Sequence, residues 1–285
     1  MQYLFWPIWR FLTPRHRLWY WCYRQIDAAF RRFDDRRLQI TEHLKLIPPA
    51  RYRTGGQSAI TEFAHSAGVI SAYVGQHLAA TNPHVLDLGC GTGKMVAAVW
   101  PFLGSEGHYT GLDISQQAIT FDQSWYPPDR CTFIHADLYN SRYNPDGQSL
   151  STYVWPLADG SIDLAVAFSL FTHLNQPDSM RYFDELARVL KPGSPVLFTF
   201  FVIDEHYSPD NHLGTRWCFD RTIEGQPDWQ WASWFSIPEN QIAITMNGLK
   251  LLAGDRFDIE AIYNGWWAGK PGAFLQDTVV FRRKP

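Results

Sequence analysis

The chain has 285 residues, enough for one large domain or a domain with an appendage. Hydrophobic residues make up 46% and charged ones 19%, which excludes a disordered chain. A net charge of −3 argues against a nucleic-acid binder. Cys22, Cys90, Cys131 and Cys218 have no CxxC spacing, which excludes a zinc ribbon or disulfide framework and points to a reducing cytoplasm.

Residues 1–53 hold 11 Lys+Arg against 4 Asp+Glu, and twelve aromatics. No cleavable apolar core follows a short basic start, and Arg10, Arg15, Arg17 and Arg24 cut every apolar run short of a membrane span. Three uses fit this segment: a cover or lid packed by Arg stems on aromatic rings, a peripheral membrane contact through residues 1–25, or another anionic partner. Its predicted helix runs over 17–47 and stops at Pro48-Pro49; a second helix follows at about 57–80. The domains expected are 1–55 and 56–285.

From residue 84 short apolar runs alternate with amphipathic segments. Strands are expected at 84–89, 108–114, 132–137, 161–170 and 194–203, with helices at 94–103, 116–125 and 180–190. That rhythm predicts a parallel sheet covered on both faces: an α/β, Rossmann-like, doubly wound fold. Ser236-Ile-Pro-Glu239 reads as a capping box opening a helix to about 250. Strands at 257–267 and 274–283 are close enough to pair antiparallel, so the sheet should end in one reversed strand.

The loop VLDLGCGTGK (85–94) decides the ligand class. A Walker A loop would need Gly at 88 and Ser or Thr at 95, where Leu88 and Met95 stand. The dinucleotide fingerprint fails at Lys94, leaving GxGxG from Gly89, Gly91 and Gly93, a turn on which a ligand can lie close to backbone. Asp113 ends the second strand, where an acidic side chain accepts from ribose hydroxyls in this type of fold, and Asp137 ends the third. Asp87, Asp113 and Asp137 therefore open on one crevice at the carboxyl edge of the sheet.

With VLDLGCGTG, GLDIS, HADL and LARVLKPGSPVLF in order, the chain resembles class I S-adenosylmethionine-dependent methyltransferases over about residues 60–285. PLADGSIDLAVAFSLFTHL and YNGWWAGKPGAFLQD look like a bacterial subgroup of that family. The resemblance implies a seven-stranded sheet and S-adenosylmethionine as cofactor. It implies that Gly89, Cys90, Gly91 and Gly93 line the methionine part, with Asp87 near its ammonium. Asp113 and Ile114 would sit at the ribose, Asp137 and Leu138 at the adenine, and Phe168 and Ser169 beside the reacting methyl. Ser194 stands where the family's LKPGG has its second glycine.

The sulfonium supplies the driving force, so the protein must align a nucleophile and, for an alcohol or phenol, remove a proton. His173 follows the fourth strand and is a candidate base; a structural His is the competing reading. Asp204 and Glu205, with His206, follow the fifth strand as further candidates for binding or deprotonating the acceptor, solvated loop charges being the alternative. No spacing indicates a metal. Phe168-Ser169-Leu170-Phe171 stands where base-amine methyltransferases carry [DNS]PP[YFW], which also argues against nucleic acid. Trp217, Trp229, Trp231 and Trp234 make residues 203–235 an aromatic insert suited to an acceptor pocket or to packing. The expected function is methyl transfer to a small-molecule or glycan acceptor, most simply at oxygen. A membrane-surface enzyme acting on a lipid-linked or quinone-like acceptor, and a cofactor-binding protein without turnover, are the alternatives.

Overall fold

The computed structural model describes residues 46–53, 59–208 and 217–285, with isolated helical positions at 21–22, 25–26 and 29. The expected helix over 17–47, and the cover or membrane roles of the N-terminal segment, fall almost wholly outside the described residues. The chain divides into two compact units, residues 1–65 and 66–285.

The larger unit is built on strands β1 (His84–Leu88), β2 (His108–Asp113), β3 (Cys131–His135), β4 (Leu164–Ala167) and β5 (Pro195–Phe200). They are short and apolar, and β4 and β5 are buried at every residue. A strand covered on both faces must be apolar throughout, which is why these runs do not alternate. They pair in parallel, and β10 (Phe257–Tyr263) and β11 (Asp277–Arg283) complete a seven-stranded sheet of order β10-β11-β5-β4-β1-β2-β3. The reversed strand is β11, but it lies between β5 and β10 rather than at the edge. Because it runs backwards, Asp277 at its start pairs with Phe200 at the end of β5. The residues entering β11 thus reach the carboxyl edge, where β1 to β5 end.

Helix α1 (Ile60–His77) precedes β1, and α2 (Lys94–Val99), α3 (Gln116–Trp125), α4 (Gln176–Val189) and α5 (Met246–Ala253) lie between later strands. Ser115 and Asn175 cap α3 and α4 by accepting from Ala118 and Asp178 backbone N–H groups. Phe171, Phe183, Phe198, Phe200 and Phe281 form the aromatic centre of the core between α4 and the sheet.

Two expectations are corrected. The run 194–203 is not one strand: it breaks at Phe201, and β6 (Val202–Ile203) joins a second sheet of order β6-β9-β8-β7, with β7 (Arg221–Ile223), β8 (Gln226–Trp231) and β9 (Ile242–Thr245). The capping box at 236–239 opens only a short 3-10 turn, Pro238–Asn240; the chain then extends as β9, and α5 starts at Met246 with Thr245 as its cap. No side chain caps that turn, whose N-cap is Ile237, and Ile242, Ala243 and Ile244 are buried in the second sheet, which outweighs the local preference.

The two sheets meet at a buried carboxylate. Asp277 Oδ2 accepts from Val202 N at 2.9 Å and Trp267 Nε1 at 2.6 Å; Oδ1 accepts from Gly265 N at 2.8 Å and lies 3.2 Å from Lys270 Nζ. Around it Phe201, Phe219, Ala243 and Trp267 pack as a small second core. Asp277→Ala strips all these donors of their acceptor and should lower stability by about 3 kcal/mol, read as the denaturant midpoint at unchanged slope.

Candidate active site

The crevice is made where β1, β2, β3 and β4 end. Gly89, Gly91 and Gly93 all have positive φ (68°, 55° and 78°), the region that disfavours side chains. The loop is fixed on three sides. Gly89 and Cys90 N–H groups donate to Leu112 O, Gly91 N–H donates to Asp113 Oδ2 at 2.8 Å, and the Tyr126 hydroxyl donates to Thr92 O at 3.0 Å. A Cβ on Gly93 would lie 2.4 Å from the Tyr126 ring, so both backbone shape and space require glycine there.

Asp87 is 1% exposed, and the Tyr109 hydroxyl donates to its Oδ2 in a short hydrogen bond. Its other oxygen, Oδ1, is buried with no hydrogen-bond partner among the described residues. Burial pushes this carboxyl up to about 8, although the Tyr109 hydroxyl pulls the other way. A buried oxygen without a donor is costly to keep, and a cation or N–H placed there would relieve it.

Asp113 uses one lone pair on each oxygen for the backbone, receiving Gly91 N–H and Ser115 N–H at 2.8 and 2.7 Å. Each oxygen keeps capacity for a second donor. Ile114 is partly buried against the core, and its carbonyl lies 3.1 Å from His135 Nε2. Asp137 is exposed, with Oδ1 accepting from Asn144 Nδ2 at 2.9 Å. Leu138 is buried; its N–H donates to Ala136 O and its carbonyl accepts from Asn144, so both its backbone groups are engaged within the protein. Cys90 is buried below the loop with its Sγ 3.9 Å from Asp122 Oδ2.

After β4 the chain turns through Phe168 and Ser169, and Ser169 holds φ at +60° without being glycine. Its N–H donates to Thr199 Oγ1 at 2.7 Å and its hydroxyl to Gln276 Oε1 at 2.9 Å, which hold the unfavourable conformation. The Phe168 ring lies between Phe274, 4.5 Å away, and the Lys94 ammonium, 4.9 Å from its centroid. The connection 264–276 between β10 and β11 thus closes over the end of β4. Lys94, Phe274 and Gln276 were missed from sequence; only the YNGWWAGKPGAFLQD run hinted that this connection matters.

The structure treats the three catalytic candidates differently. His173 Nδ1 donates to Glu239 O at 2.9 Å, which leaves Nε2 unprotonated, 3.4 Å from the Tyr143 hydroxyl. Burial brings its pKa down to about 4 against the pull of that carbonyl bond. It is a neutral imidazole and a weak base. Asp204 is bound by Lys270 at 2.8 Å; burial alone would raise its pKa, and the Lys270 ion pair holds it low instead. Glu205 is 85% exposed, its nearest ionic contact being His206 at 4.0 Å. Of the insert's tryptophans, Trp229 is core, while Trp217 and Trp234, with Phe235, form a surface cluster. Among the described residues no group of three or more His, Cys, Asp or Glu could hold a metal, and no helix is long and apolar enough to cross a membrane.

Residues 85–193, from β1 to the turn before β5, match the family model described as a methyltransferase domain. This segment is similar to methyltransferase domains. A structure described as a SAM-dependent methyltransferase from Methanosarcina mazei superposes with a TM-score of 0.50 at 21% identity, over 74% of this chain and 97% of that one. At that identity the likeness is one of fold. An O-methyltransferase of Pyrenophora dematioidea is 31% identical over 47% of this chain and 45% of its own length. A demethylmenaquinone methyltransferase of Listeria monocytogenes is 34% identical over 39% of this chain and 41% of its own. The chain therefore spans about half the length, or less, of the curated relatives it matches. The residues of this segment fit S-adenosylmethionine: Asp87 has a buried oxygen without a donor among the described residues, and the glycine loop offers backbone where a Cβ cannot stand.

Histidine-resolved NMR titration should find His173 neutral down to about pH 4. Gly93→Ala should lose at least about 1 kcal/mol of stability through its positive φ alone, read by thermal denaturation.

Proposed function

We propose that the chain is an S-adenosylmethionine-dependent methyltransferase acting on a small-molecule acceptor, at oxygen. One observation carries the reading: three glycines at positive φ, pinned by Asp113 through Gly91 N–H, beside the unpartnered buried oxygen of Asp87. In this reading Asp87 receives the methionine ammonium and Gly89, Cys90 and Gly91 lie under the amino-acid tail. Asp113, beside Ile114, accepts from the ribose hydroxyls, Asp137 and Leu138 border the adenine, and Phe168 and Ser169 stand next to the methyl. When bound, the cofactor supplies an electrophilic methyl and leaves as a neutral thioether. The protein aligns the acceptor and excludes water. Oxygen is favoured by relatives named as O-methyltransferases. A quinone-like acceptor is the second reading, supported by the relatives named as demethylmenaquinone methyltransferases.

Asp204 is assigned to structure, because Lys270 occupies it, and Glu205 to solvent. His173 is assigned as a hydrogen-bond acceptor that orients the acceptor or Tyr143 through Nε2, rather than as a strong base.

S-adenosylhomocysteine should bind the full chain in calorimetry. Asp113→Ala should weaken binding by about 2–3 kcal/mol, roughly 30- to 150-fold, and unchanged affinity would sink the assignment. His173→Ala should leave that affinity intact and lower turnover of labelled methyl into an acceptor panel. Asp87 also sets a pH dependence. Its folded-state carboxyl is raised to about 8, so receiving an ammonium expels its proton at neutral pH. Affinity should therefore rise from about pH 6 to 8, and Asp87→Asn should flatten that slope.

A further inference from the structure

The methyl-side wall contains two polar groups without a hydrogen-bond partner among the described residues. Gln276 is 5% exposed. Its Oε1 accepts from Ser169, and its Nε2 has no hydrogen-bond partner among the described residues. Lys94 makes no hydrogen bond or ion pair among the described residues; its ammonium faces the Phe168 ring at 4.9 Å. Burial brings its pKa down to about 8 against the pull of Asp87, the charged group acting on it, so near neutrality it is mostly an ammonium seeking an anion. Lys94 and Gln276 thus flank Phe168-Ser169 from two sides, and Phe168 with Phe274 adds an aromatic wall between them.

The three candidates read from the sequence offer no strong base. His173 is protonated only near pH 4, Asp204 is neutralised by Lys270, and Glu205 stands in solvent. An alcohol of ordinary acidity would have nothing among these candidates to take its proton. An acidic hydroxyl needs none.

We infer that the acceptor is an aromatic or enolic hydroxyl bound as its oxyanion, with the Lys94 ammonium and the Gln276 amide as its hydrogen-bond donors. The inference rests on the methyltransferase reading and narrows its substrate class. The hydroxyl loses its proton to solvent on binding. The oxyanion's lone pair then forms the O–CH3 bond as the C–S bond breaks, and that electron pair returns to sulfur, neutralising the sulfonium. The products are an aryl or enol ether and a thioether, and charge balances without a protein base. Lys94 and Gln276 hold negative charge in place while excluding water, so they act on binding and on the fraction ionised.

The test uses the full chain saturated with S-adenosylhomocysteine and two chromogenic probes, 4-nitrophenol and 4-nitro-1-naphthol, whose anions alone absorb strongly in the visible. Binding should lower the apparent pKa of at least one probe by about one unit, a tenfold preference for the anion. Lys94→Met should abolish the shift, Lys94→Arg should retain it, and Gln276→Leu should weaken anion binding about fivefold. Circular dichroism melts show that each variant is folded, and the arginine variant guards against reading lost folding as lost charge. Failure of S-adenosylhomocysteine to bind the wild-type chain would overturn the underlying cofactor reading. Cofactor binding with no shift for either probe would overturn the oxyanion site alone. A third overturning result is loss of S-adenosylhomocysteine affinity in Lys94→Met by tenfold or more with the probe shift intact, which would assign Lys94 to the cofactor's carboxylate. With labelled S-adenosylmethionine, methylation of phenols but not of benzyl alcohol is expected; equal rates on benzyl alcohol would also overturn the inference.

Discussion

The buried Asp277 carboxylate is the interaction on which the acceptor side depends. It accepts from Val202, Gly265 and Trp267 and stands beside the Lys270 ammonium. Each contact fixes a different stretch of chain. Val202 is where the chain leaves the main sheet for the second one, and Gly265, Trp267 and Lys270 belong to the connection that closes over β4. Burying such a charge is unfavourable unless its lone pairs are filled, so the carboxylate selects the one arrangement that fills them. Lys270 shares its charge with Asp204, whose ion pair completes the balance. Burial would lower the Lys270 pKa, and these two carboxylates hold it raised.

From that anchor the geometry of the crevice follows. Because β11 is antiparallel to β5, its first residue lies at the edge where the parallel strands end. Gln276, one residue earlier, can then reach Ser169, and Phe274 can reach Phe168. Ser169 tolerates its left-handed backbone because Thr199 on β5 and Gln276 before β11 hold it from two sides. The donor side, built from β1 and β2, is held separately through Leu112 and Asp113. Two independently braced halves therefore face each other, the arrangement expected where two ligands must meet in line.

Much of this was legible in the amino-acid sequence. Continuous apolar runs such as LAVA and PVLFTF announced buried parallel strands, and GxGxG with Asp113 and Asp137 at strand ends located the crevice. These signals are local: they need only the period of a strand and the steric freedom of glycine. The Ser236–Glu239 capping box was misleading for the same reason. It is a local preference, and burial of Ile242 and Ile244 in a sheet invisible to local reading outweighed it. Asp204 and His173 likewise carried the right chemistry at the right edge. The Asp204 ionisation is set by Lys270, 66 residues away in sequence, and that of His173 by its burial, with Glu239 O, also 66 residues away, pulling the other way.

The sequence by itself therefore determined the fold class, the strand ends that form the crevice and the glycine floor, because those depend on residues close together in the chain. Only the tertiary structure decided which groups stay charged and which stay free. Among the described residues Lys94 makes no ion pair and the Gln276 amide nitrogen has no acceptor, while burial under distant parts of the chain holds His173 neutral, because a side chain's proton affinity is set by its surroundings in space.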